Sequence, residues 1–126
     1  AVVASDSAGH GRFQIADASG NVMSEMRMLP GVGGGIIVNS SAGKKMGVLA
    51  ATDEGGRLNL MNAHGVPIFV ASTVGSTGGG AMTVTNQRGI PVVTLKSDDE
   101  HRGLIEIMDE DGKGVRRVRP LRGYSP

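Results

Sequence analysis

The chain has 126 residues, enough for one domain, with no Trp, one Tyr, two Phe and 21 Gly, so a core built on large aromatic side chains is excluded and burial rests on Val, Ile, Leu and Met. A net charge of +1 supplies no global field to recruit nucleic acid or an anionic membrane. The absence of cysteine excludes a disulfide framework and a thiolate metal site, and no run approaches the roughly 18 apolar residues of a membrane span.

Residues 1–10, AVVASDSAGH, lack the basic and long apolar regions of a signal peptide. They read as an extended N-terminal arm, weakly ordered unless a neighbour holds it. From residue 11 to 119 one pattern recurs at intervals of 22 to 24 residues: FQIADASG from Phe13, IIVNSSAG from Ile36, LNLMNAHG from Leu58, MTVTNQRG from Met82 and IEIMDEDG from Ile105. Such a repeat specifies architecture before chemistry.

The first half of each copy alternates. Phe13/Ile15, Ile36/Val38, Leu58/Leu60, Met82/Val84 and Ile105/Ile107 fall on one face, and Gln14, Ile37, Asn59, Thr83 and Glu106 on the other, which predicts a half-buried strand. Asp17, Ser40, Asn62, Asn86 or Asp109 follows, with Gly three residues later. An Asx or Ser side chain that bonds its own backbone and a Gly with positive φ predict a type I turn with a glycine bulge, closing a hairpin.

The returning strand carries apolar residues three and six positions past the turn glycine: Met23/Met26, Met46/Leu49, Ile68/Ala71, Val92/Leu95 and Val115/Val118. Three and six have opposite parity, so this strand is either bulged or in contact on both sides. The apolar runs VPIFV and IPVV favour the second reading. Pro67 and Pro91, two residues past their turn glycines, lack a ladder donor and suggest a sheet edge. The stretches between hairpins, LPGVGGG, AATDEGG, STVGSTGGG and SDDEHRG, are polar or glycine-rich and each ends in glycine before the next strand, as surface loops do. Residues 120–126 form a C-terminal tail.

The fold class expected is therefore all-β, five tandem hairpin repeats of about 23 residues each. Hairpins of this size gain stability only by stacking. One solution closes ten strands into an up-and-down barrel or a sandwich. The other winds identical chains about a narrow shared core, and the two-sided return strand and the small side chains favour it. The pattern over residues 11–119 resembles the triple β-spiral shafts of viral fibres and trimeric phage tail-fibre stems. That resemblance implies an elongated, intertwined homotrimeric β-fibre of extracellular, cell-surface or virion location, a structural spacer whose partner is itself.

Chemistry is weakly signalled. His10 lies in the arm, His64 in a turn and His101 in a loop, and turn positions matching 64 carry Ser19, Ala42, Arg88 and Asp111, so no general acid or base is assigned. Asp109-Glu-Asp-Gly112 and Asp98, Asp99, Glu100 invite calcium, but the bidentate glutamate of an EF-hand loop is missing and Asp109 serves as turn former. Gly31–Gly35 and Gly78–Gly80 precede strands, not helices, and lack a nucleotide-loop signature. The tail VRRVRPLRG has no stacking aromatics for nucleic acid. The acidic residues of 98–111 and the basic ones of 113–122 are expected to pair within or between subunits. No catalytic, cofactor-binding or metal residue is assigned and the chain is read as a non-enzyme. The competing reading is a receptor- or glycan-binding module using the loops Ser72–Gly80 and Ser97–Gly103.

Overall fold

The computed structural model describes residues 1–5, 7–74, 78–97 and 102–119. Among them the chain is all-β with no helix: β1 (Val2–Ser5), β2 (Gly11–Ala16), β3 (Val22–Leu29), β4 (Gly33–Asn39), β5 (Lys45–Thr52), β6 (Gly55–Met61), β7 (Pro67–Thr73), β8 (Gly80–Thr85), β9 (Pro91–Ser97), β10 (Gly103–Ile107) and β11 (Arg116–Val118). They form one sheet of 11 strands in the order of the sequence, every pair antiparallel. Short connections leave each strand beside its chain neighbour.

The five turns share one geometry. In the first, Gly20 N–H donates to Asp17 C=O at 3.1 Å and Asp17 N–H to Asn21 C=O at 3.0 Å. The same two bonds recur at Ser40, Asn62, Asn86 and Asp109, and Gly20, Gly43, Gly65, Gly89 and Gly112 all have φ between 74 and 85°, the left-handed region that a Cβ disfavours. Asp17 Oδ1 accepts from the N–H groups of Ser19 and Asn21, both at 2.9 Å; Asn62, Asn86 and Asp109 do likewise, and Ser40 Oγ accepts from Lys44 N–H at 3.2 Å. The side chains close the turn as the sequence pattern requires.

Three expectations change. The return strand is bulged: Ile15 faces Ser24 but Ala16 faces Val22, which leaves Met23 as an extra residue, and Met46, Ile68 and Val92 are extra in the same way. Beyond the bulge, Met26, Leu49, Ala71 and Leu95 share a face with the alternating apolar residues of β2, β4, β6 and β8, because the inserted residue has reset the parity, while Val48, Ala50 and Val70 keep β5 and β7 apolar on both faces. Pro67 and Pro91 open β7 and β9 inside the sheet, as first strand residues; the edges are β1 and β11. The connections are shorter than expected, since Ala50–Thr52, Gly33–Gly35 and Gly55–Gly56 extend the ladders.

The N-terminal arm contains β1, which β2 holds through four residue pairs from Val2↔Gln14 to Ser5↔Gly11. Closure into a barrel would require β1 and β11 to hydrogen-bond. Among the described residues they pair only with β2 and β10, so the sheet is open and neither the single-chain barrel nor the sandwich forms. The tail 120–126 lies outside the described residues.

Candidate functional site

Cross-strand register places one residue from each strand in a single row. It begins Val3, Phe13, Met26, Ile36, Leu49 and continues Leu58, Ala71, Met82, Leu95, Ile105, Val118, each opposite the next. All eleven are apolar. Partners directly opposite across a ladder stand about 5 Å apart on the same face, so the row is a continuous apolar stripe across the sheet.

A second row, toward the turns, runs Ile15, Ser24, Val38, Gly47, Leu60, Phe69, Val84, Val93, Ile107, Arg116. Among the described residues, the strands make contact with their sheet neighbours and no element packs over these two rows. Leu49 is 49% exposed, and Met26, Leu60, Met82 and Ile105 are also exposed, as are Phe13, Ile15, Val38, Val84, Leu95 and Ile107. The face between Val3 and Ala51 forms an open groove of about 710 Å³.

The opposite face carries the charged side chains of the sheet except Arg116, alongside the apolar Ile37, Val48, Ala50, Val70 and Leu104. Glu25, 12% exposed, receives Arg12 at 3.5 Å and Arg27 at 3.1 Å and accepts from Gln14 Nε2 at 3.3 Å. Glu106, 14% exposed, meets Lys96 Nζ at 3.0 Å and Arg117 Nε at 2.9 Å. Hydrogen bonding from Lys96 holds its carboxyl below the ordinary glutamate value, against the effect of burial, with Arg117 adding to the lowering. Asp17 is lowered too, first by the Asn21 side chain and then by backbone N–H groups of its turn. Ile37, Ala50 and Leu104, the buried apolar residues, all lie on this polar face. Ordinary sheets bury the apolar face and expose the polar one. In this chain Ile37, Ala50 and Leu104 are buried on the face that also carries the charges, and no polar or charged side chain among the described residues is buried.

The chemistry-bearing residues are scattered. His64 sits in an exposed turn, its N–H donating to Asn62 Oδ1. Asp109 is occupied in its turn, and His101 with Asp98, Asp99 and Glu100 lies outside the described residues. The acidic and basic blocks do pair, through Glu106 with Arg117; Asp111 takes Arg88 from the neighbouring turn at 3.0 Å. Gly33 and Gly80 open β4 and β8, so the glycine clusters lead into strands. Of the candidate binding loops, Ser72, Thr73, Gly80, Ser97 and Gly103 are strand residues, while 75–77 and 98–101 lie outside the described residues.

The sequence pattern identified half of the apolar face, the pairs Phe13/Ile15 through Ile105/Ile107. It missed the contribution of β3, β5, β7 and β9, because offsets counted from the turn glycine cross the bulge. The signal was present in the spacing six past that glycine, which gives Met26, Leu49, Ala71, Leu95 and Val118. Neither a scan against protein-family models nor a search of curated proteins finds a match for this chain.

Proposed function

We propose that the chain is a structural, self-associating segment of a fibre, stalk or filament, working as a rigid spacer in an elongated homotrimer on a cell surface or virion. The observation that carries this reading is the uninterrupted apolar row across 11 strands, exposed in the single chain at all but Ile36, Leu58 and Ala71, which are half-buried. A patch of that extent on a soluble protein marks an interaction surface. The inner strands β2 to β10 are paired on both sides by chain neighbours, so the apolar face is the larger surface by which copies associate.

At about 4.8 Å per strand spacing the sheet spans roughly 50 Å, a length set by the number of hairpins. Repeat proteins extend in this manner, each unit touching its neighbours and no diffusible ligand being needed. Gel electrophoresis of unheated samples in SDS, with negative-stain imaging, tests the proposal. A discrete oligomer band and rod-shaped particles are expected; compact particles with a monomer band would refute it.

A further inference from the structure

Two residues before the apolar row, every first strand of a hairpin carries glycine: Gly11, Gly34, Gly56, Gly80 and Gly103. Strand alternation puts them on the apolar face, at the end away from the turns, where they face Ser5, Met28, Ala51, Thr73 and Ser97. The chain itself has no need of glycine there. None of the five has positive φ, and a Cβ added at any of them meets nothing within 4 Å. Gly33, Gly35 and Gly55 differ, since a Cβ would strike Ala51 O, the Leu29 side chain and Thr73 Oγ1 respectively. Glycine weakens a strand, and where it persists in a strand another backbone often comes close.

We infer that the apolar face is covered by the same face of other copies of this chain, and that this glycine row is the line along which their backbones approach most closely. The inference rests on the self-association proposed above and names its surface. Eleven strands at about 4.8 Å spacing and five residues of about 3.4 Å give a face of roughly 850 Å². A stable interface takes about 800 Å² from each partner, so the face alone suffices. It carries no charged residue from β1 to β10, and Arg116 is its only charge. A partner of opposite charge has nothing to grip, whereas a second copy offers an uncharged face of equal length. Sheets ordinarily pack about 10 Å apart, held off by side chains on both faces. Glycine on every other strand, with the small Ser5, Ala51, Thr73 and Ser97 between and Met28 as the one long side chain, lets the copies converge there and diverge toward the turns, where Leu60, Phe69 and Val84 fill the wider gap.

The test uses the full chain. Gly56→Val with Gly80→Val, positions where the single chain leaves a Cβ free, is expected to raise the concentration at which the assembly dissociates at least tenfold. Since the chain lacks cysteine, Ala51→Cys reports on the same row: exposed in the single chain, its thiol is expected to react with maleimide at least tenfold more slowly in the assembly than Ser19→Cys in the first turn. This readout decides the matter even where the valine variant fails to fold. An assembly in which the valines change nothing and both thiols react alike overturns the glycine line and leaves self-association standing. A monomer overturns both, and a monomer whose Ala51→Cys thiol is shielded by phosphatidylcholine vesicles assigns the face to lipid instead.

Discussion

The two faces of this sheet solve the burial problem in opposite ways. On the polar face, Glu25 and Glu106 collect the cations beside them and Ile37 is 2% exposed, so these three side chains find their contacts within one chain. On the other, Leu49 is half exposed at the centre of an uncharged row, and its contacts have to come from elsewhere. Apolar surface left in water costs about 25 cal/mol per Å². Under the proposed self-association, the difference places the fold of one chain and the assembly of several on separate faces, each of which can be altered alone.

The sharpest way to break the comparison is a charge at the centre of the apolar face. In a single chain Leu49→Asp costs little, because the position already meets water. In the assembly it buries an unpaired carboxylate, worth about 3–5 kcal/mol per copy, and gel filtration is expected to show dissociation with β-sheet circular dichroism retained at high dilution. The mirror experiment is Ile37→Ala on the polar face, where loss of a packed aliphatic side chain costs about 2–5 kcal/mol. Its effect is expected in thermal unfolding of the dissociated chain as well as of the assembly.

A turn belongs to neither face. Asn62→Ala removes two acceptor bonds, from His64 and Val66 N–H, each contributing about 1 kcal/mol net. The melting temperature is expected to fall by a few degrees while the oligomer remains the same. The hairpins were legible in the sequence for this reason: Asx or Ser with Gly three residues on is local chemistry, and the five turns follow it.

What lay beyond local chemistry was harder to read. Met23, Met46, Ile68 and Val92 are the extra residues of bulges, and counting through them hides that Met26, Leu49, Ala71 and Leu95 share a face with the apolar residues of the preceding strands. Self-association was therefore expected from the return strands, whereas the structure puts the uncovered surface on one face of all strands together. The glycines before Phe13, Ile36, Leu58, Met82 and Ile105 look like loop endings in the sequence; only the backbone angles and the empty space beside them separate them from glycines the turns require.

The smallest expected effect is on pH dependence, and it belongs to the polar face. Glu106 has a folded pKa below the ordinary 4.5, so the stability it contributes is complete above about 4.5 and is lost as pH falls through its lowered folded value. Exposed or edge ion pairs contribute about 1 kcal/mol or less. Thermal unfolding between pH 6 and pH 3 is expected to show a modest acid decrease that Glu106→Gln removes, with no change in how the apolar faces associate.

The central claim is that the apolar face is covered by copies of the chain. Multi-angle light scattering of the intact protein across a concentration series tests it most directly. A single species of three times the 12.9 kDa chain mass is expected down to low micromolar concentration, and a folded species of 12.9 kDa throughout would contradict it.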